Sequence, residues 1–265
     1  MNKAICFCSF SIYLWLCVLS SPVFAADLGS LVTEVPIYHT YLPNRAGKTL
    51  MTPTGWGASN NVIFFGAGGT SPQAYSSSAD GAISLGLGLL DPVKIVGLQA
   101  SMTVNDLSEM DNFSFGFKLH RYLGYGISVA VGGENLFHSN ESDADESFYF
   151  VLSRASQNHI NPTNGISRLH INLGAGSGRF GKKSELDKEH SKGEHGSYVF
   201  AAAAYEFLPS TNAILEWSGV NLNAGFSTAP FKKIPMVLTL GAADLTSYSG
   251  NKVRLIGTIG FSYQF

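Results

Sequence analysis

The sequence predicts an all-β chain, a transmembrane antiparallel β-barrel of about twelve strands, with ten or fourteen as the neighbouring counts. Three observations predict it. Apolar residues recur at every second position, the period of a strand with two unlike faces. After the first twenty-five residues no apolar run approaches the ~20 residues that a spanning helix needs. Connections between the alternating segments are long and short largely in turn, as when tight turns and longer loops collect at opposite ends of a barrel.

Composition excludes several classes first. Charged residues make up 14% of the 265, mean hydropathy is +0.11, and there are 29 glycines. Disorder needs low hydrophobicity and many charges, so it is excluded. Seventeen Lys and Arg against nineteen Asp and Glu leave a net −2, which argues against a nucleic-acid partner.

Residues 1–25 read as a cleavable export signal. Lys3 supplies the positive start, Ile5 to Leu19 the apolar stretch, and Val23-Phe24-Ala25 a small-residue cleavage site. Cys6, Cys8 and Cys17 all fall inside it, so the mature chain is expected to carry no thiol chemistry. Residues 26–59 do not alternate, and they carry Pro36, Pro43, Pro53 and Gly55-Trp56-Gly57. They are expected to be an N-terminal extension or a plug, with an irregular strand or disorder as the other readings. Tyr38, Tyr41 and Trp56 suggest that this stretch packs on something.

Residues 60–265 are assigned to the barrel. The expected strands are 60–68, 81–90, 93–104, 112–121, 124–134, 146–154, 167–176, 197–207, 211–219, 221–228, 234–243 and 252–265. In residues 112–120, Phe113, Phe115, Phe117 and Leu119 share one face against Ser114, Gly116, Lys118 and His120. In residues 168–176, Leu169, Ile171, Leu173 and Ala175 oppose Arg168, His170, Asn172 and Gly174. Inside hydrocarbon every backbone polar group needs a partner within the protein, so such a sheet must close on itself. A charge at midplane depth on the lipid face would cost ~2–4 kcal/mol, and the apolar faces carry none except near strand ends. Two connections break the rhythm: residues 155–166 are long where a turn belongs, and Val220 is short where a loop belongs.

The last strand, Ile259-x-Phe261-x-Tyr263-x-Phe265, resembles the C-terminal signal of Gram-negative outer-membrane β-barrel proteins. That resemblance implies residence in the cell outer membrane, contact with its lipid, and recognition of Phe261, Tyr263 and Phe265 by the barrel-assembly machinery.

With these faces, the lumen is expected to collect Lys118, His120, Glu134, Arg168, His170, Glu216, Lys252 and Arg254 as pore-lining residues. Inward Ser84, Gly86, Gly88, Gly116, Ser128 and Gly132 are small and leave room. The first functional expectation is a narrow passive channel for small polar or anionic solutes, without cofactor, metal or catalytic residue. The alternative is a closed barrel acting as a surface-binding or envelope-structural protein or as a membrane enzyme. His138-Ser139-Asn140 resembles the His-x-Ser-Asn pattern of outer-membrane phospholipases. Adjacent His and Ser point to opposite faces, however, so no Ser–His hydrogen bond activates the serine. The histidines and glutamates of residues 182–195 and the acids of 143–146 are read as solvated loop charges rather than metal ligands. The glycine clusters at 66–69 and 174–178 precede no helix, which argues against a phosphate cradle.

Overall fold

The computed structural model describes residues 42–105, 112–137, 145–162 and 164–265. The strands are β1 (Val62–Ser71), β2 (Asp80–Leu89), β3 (Gly97–Val104), β4 (Phe113–Gly124), β5 (Ile127–Leu136) and β6 (Ser147–Ala155). There follow the short β7 (Ile160–Asn161) and β8 (Ile166–Ser167), then β9 (Leu169–Gly176), β10 (Val199–Leu208) and β11 (Thr211–Trp217). The chain ends with β12 (Leu222–Thr228), β13 (Met236–Ala243) and β14 (Arg254–Gln264). All except β7 and β8 join one closed antiparallel barrel, twelve strands in chain order, with β1 paired to β14 from Val62↔Gln264 to Ser71↔Leu255. Closure leaves no strand edge unpaired, which is what hydrocarbon demands.

Alternation sets the faces. Along β6 the burial flips at every residue, with Ser147, Tyr149, Val151, Ser153 and Ala155 buried and Phe148, Phe150, Leu152 and Arg154 exposed. Leu85, Phe115, Ile171, Leu173, Leu215, Phe226, Leu240 and Leu255 all lie on the exposed outer surface, an apolar face of the kind a membrane barrel turns to lipid. The inward face is largely polar, with Ser114, His120, Ser128, Ser153, His170, Asn172, Asn212, Glu216, Asn223 and Ser227 buried, and carries apolar Val151, Phe200, Ala202, Ala204 and Ile214 as well.

One end of the barrel carries tight links. Tyr125 and Gly126 join β4 to β5 with φ of 48° and 75°, the left-handed pair that suits a two-residue hairpin. Asp91 Oδ1 accepts from Val93 N at 2.9 Å and Lys94 N at 3.3 Å to shape the β2–β3 turn, with Lys94 salt-bridged to Asp91 at 3.6 Å. The long link predicted at this end folds into the β7–β8 hairpin. The loops gather at the other end, apart from the short link after Trp217.

Candidate functional site

Residues 42–60 form a re-entrant segment that goes in and comes out at the turn end. Leu42 O accepts from Ser167 N at 3.0 Å, and Asn60 N donates to Leu90 O at 2.8 Å. Between these points the segment meets inward groups of β2 to β6 and β9 to β13. Asn44 Nδ2 donates to Glu206 Oε2 (2.9 Å) and Asn212 Oδ1 (2.7 Å), and Asn44 N to His170 Nε2 (3.3 Å). Gly47 N donates to Ser227 Oγ at 2.9 Å, and Gly55 N to Ser153 Oγ at 2.7 Å. Ser128 Oγ donates to Gly55 O (2.7 Å), Lys118 Nζ to Trp56 O (3.1 Å), and Ala58 N to Gln99 Oε1 (2.9 Å).

The apex is held by one carboxylate. Glu216, 1% exposed, accepts from Leu50 N at 2.8 Å, from Met51 N and Thr52 N at 3.1 Å, and from Thr52 Oγ1 at 2.9 Å, all through Oε2. Its Oε1 accepts from Asn223 Nδ2 at 3.0 Å and from Met51 N at 3.1 Å. Three successive backbone N–H groups around an anion form a nest, a concave receptor built from main chain.

Small wall residues make the seats for this segment. A Cβ on Gly88 would lie 2.1 Å from Ala58 C and 2.3 Å from Ser59 N. On Gly225 and Gly241 it would meet the Leu50 side chain at 3.0 and 3.2 Å. Three of the inward glycines therefore leave no open space of the kind the sequence suggested, while Gly116 borders a remaining cavity. Gly86 is covered by the Phe64 ring, Gly88 by residues 58–59, and Gly132 by the Tyr149 phenol.

Beside the apex remains a cavity of about 270 Å³, bounded by Met51, Thr52 and Pro53 on one side and by β3 to β6 on the other. Lys118, Glu134 and Arg179 supply its charges, and Gln99, Ser101, Thr103, Ser114 and Tyr149 its neutral polar groups. Arg179 Nη2 meets Glu134 Oε2 at 2.7 Å, Nε meets the same oxygen at 2.9 Å, and Nη2 also donates to Met51 O at 2.8 Å. Arg179 follows β9, where Phe180 turns inward and stacks on Phe200 at 4.5 Å between ring centroids.

The loop end is knitted around two buried side chains. Asp187, on the short helix Glu185–Glu189, accepts from Tyr75 Oη (2.8 Å), Ser249 Oγ (2.5 Å) and Gly250 N (2.7 Å). Asn221 donates to Asp244 Oδ1 at 3.0 Å and accepts from Tyr248 N at 2.9 Å. Burial acts to raise the Asp187 carboxyl, but its hydrogen bonds from Ser249, Tyr75, Gly250 and Ser184 outweigh that and hold it below the usual value. Burial and the bond to Asp187 push the Tyr75 phenol up to about 12.

The eight residues expected to line a pore separate into groups. Lys118 and Glu134 border the cavity. His120, His170 and Glu216 are buried facing the re-entrant segment, His170 edge-on to Trp56 at 6.1 Å. Lys252 and Arg254 belong to the loop end instead, donating to Ser76 O and Asp244 Oδ2. Arg168 departs too: its guanidinium lies 5.1 Å from the ring centroid of outward Tyr205 and donates to Glu206 O. It sits ahead of β9, where the face rule no longer governs direction. Arg179, Gln99 and Tyr149 were not anticipated at the site; alternation could have found Gln99 and Tyr149, but Arg179 lies outside any strand. Phe261, Tyr263 and Phe265 are exposed at the turn end of β14, with Phe265 N donating to Asn61 O at 3.0 Å.

Among the described residues no three His, Cys, Asp or Glu side chains gather as a metal site. His190 stacks on Tyr75 at 4.7 Å, and His195 Nδ1 pairs with Tyr198 Oη at 3.0 Å. His138-Ser139-Asn140 and Asp143 lie outside the described residues, while Asp145 pairs with Lys182 at 3.0 Å.

No protein-family model matches the chain, and no curated protein sequence matches it. Solved structures do. A KdgM porin aligns with a TM-score of 0.44 and 13% identity over 77% of this chain and 99% of that one. The outer membrane phospholipase A from Escherichia coli aligns at 0.41 and 12%, over 77% and 96%. A mutant of the Rh. blastica porin aligns at 0.34 and 12%, over 69% and 55%. The chain is a closed antiparallel β-barrel of twelve strands. These likenesses are of architecture alone.

Proposed function

We propose that the protein is an outer-membrane channel for small polar solutes, anions preferred, stoppered at rest by its own residues 42–60. In this reading the chain is exported by residues 1–25 and inserted by the barrel-assembly machinery through Phe261, Tyr263 and Phe265. The observation that carries the reading is the re-entrant segment itself. It is hydrogen-bonded to the wall around the lumen, while a polar cavity with two cations and one acid persists beside its apex. A wall built only to be filled would be apolar and close-packed, since unpaired buried polar groups are costly. This one offers side-chain hydroxyls, amides and carboxylates to a segment whose release exposes them to water. Small barrels are filled and large ones open, and twelve strands fall between, wide enough for a strand-width stopper.

The test is a reversible lock. Gly47→Cys with Ser227→Cys, in a chain cleared of Cys6, Cys8 and Cys17, replaces a pair whose Cβ atoms would stand 3.2 Å apart. That is near the ~3.5–4.5 Å of a disulfide. Oxidised protein in a planar bilayer should be silent, and reduction should restore openings with anion preference. Silence after reduction as well, from a folded and inserted barrel, would leave the closed structural barrel in its place.

A further inference from the structure

We infer that the cavity beside the apex is a binding site for a small, singly charged carboxylate that carries hydroxyl groups. This rests on the channel reading for its access and stands on its own for its chemistry. The charges fix the ligand's sign and number. Glu134 is engaged twice by Arg179, so that pair is internally balanced. Lys118 remains: it donates to the neutral Trp56 carbonyl and has no ion pair of its own among the described residues, though it feels the nearby Glu134 charge. Two cations against one acid leave a net positive charge on the cavity wall, and a monoanion neutralises it. A dianion would leave one negative charge over, repelled by the Glu134 carboxylate.

The neutral lining fixes the rest of the ligand. Gln99 uses its carbonyl oxygen on Ala58 N, which leaves its amide N–H groups for the cavity. Ser101, Thr103, Ser114 and the Tyr149 hydroxyl stand along the same wall. Hydroxyls and an amide make a surface that matches hydroxyls on a ligand and leaves a hydrocarbon chain with unpaired polar neighbours. The cavity, about 270 Å³ and open to solvent on one side, accommodates one sugar-sized unit.

The site is also placed to act on the stopper. Its wall on one side is Met51, Thr52 and Pro53, the apex that Glu216 holds, and Arg179 reaches from the cavity to Met51 O. A carboxylate that draws Lys118 or Arg179 towards itself removes a bond from Trp56 O or Met51 O, both on the re-entrant segment.

Equilibrium titration of the folded, detergent-purified chain with sodium gluconate tests the site, with glucose and glucarate as the neutral and doubly charged comparators. Gluconate should bind saturably, at least tenfold tighter than either comparator. Lys118→Met should lose at least tenfold in gluconate affinity, and Lys118→Arg should retain binding. Gluconate that fails to saturate, or that binds no better than glucose in the unaltered protein, would overturn the site whether or not the variants fold. Undiminished binding to folded Lys118→Met would overturn it equally. The titration needs no open pore, so the two proposals fail separately. Currents without gluconate binding sink the site alone, and gluconate binding to a silent barrel sinks the channel alone.

Discussion

Replacing Glu216 by Gln should free the apex of the re-entrant segment while the barrel stays closed. The amide oxygen can occupy the place of Oε2 and keep Leu50 N, Met51 N, Thr52 N and Thr52 Oγ1 as donors. The amide nitrogen then takes the place of Oε1, facing Asn223 Nδ2 and Met51 N, two donors against a donor. Asn223 cannot turn over to relieve this cheaply, because its Oδ1 already accepts from Asp244 N at 3.0 Å. Hydrogen bonds to a charged group contribute about 1.5–3 kcal/mol and neutral ones about 0.5–1.5, so each of the four retained bonds weakens by roughly 1 kcal/mol. The sum, about 4 kcal/mol, is close to three decades in a local opening equilibrium at ~1.4 kcal/mol per decade. Amide hydrogen exchange at Leu50, Met51 and Thr52 reads that opening directly. Their exchange should rise by roughly a thousandfold at that conversion, with the amides of β9 and β10 unchanged. A rise of less than about tenfold, in a variant that keeps the wild-type barrel, would refute Glu216 as the principal tether of the apex.

Four further outcomes follow from the same contacts. Gly88→Ala drives a Cβ to within 2.1 Å of the Ala58 backbone, which has no flexible side chain to yield, and should lower stability by about 1–3 kcal/mol in thermal unfolding. Arg254→Glu places a second carboxylate beside the buried Asp244 and should cost about 3–5 kcal/mol while leaving ion selectivity unchanged, because the pair closes the loop end rather than lining a passage. Loop proteolysis between residues 182 and 195 should be suppressed from about pH 4 to pH 10 and released outside that window. The carboxyl of Asp187 is depressed on folding, so its contribution is complete above the unfolded value near 4 and fades as pH falls through the folded one. Tyr75 is raised to about 12, so its contribution is complete below the unfolded value near 10 and fades above it. Asp187→Asn should remove the acid edge of this window, as read by the same proteolysis series.

The barrel was legible because lipid is an unforgiving solvent. Any strand with one face in hydrocarbon must alternate, and Phe115, Phe117 and Leu119 against Ser114, Lys118 and His120 state that rule in a few residues. Even the two breaks in connection length are features of the molecule, the β7–β8 hairpin and the short link after Trp217. The interior was less legible, since nothing in the polar face says what it bonds to. Glu216 and His170 face inward, but most of their partners are backbone N–H groups of residues 44–52, which leave no mark in a sequence. The inward glycines misled for the same reason: a missing side chain reads equally as open space and as a seat for something else. Lys252 precedes β14 and Arg254 opens it, at the loop end, and there loops rather than lumen claim the charges.

Polarity decides how such a stopper behaves. An apolar plug would be held by burial at roughly 25 cal/mol per Å² and would resist wetting on release. Here many groups facing each other across the interface are donors and acceptors, each able to exchange its partner for water at a net cost of only about 0.5–1.5 kcal/mol, and Trp56 Nε1, both His120 ring nitrogens and His170 Nδ1 are buried without a partner among the described residues. The exception is the Glu216 nest, where several N–H groups share one buried carboxylate and release together or not at all. In the proposed channel, weak, water-exchangeable bonds along the segment and one concentrated tether at its apex would make a two-position element: the tether would set the equilibrium, and the wetted wall would keep the open position from collapsing.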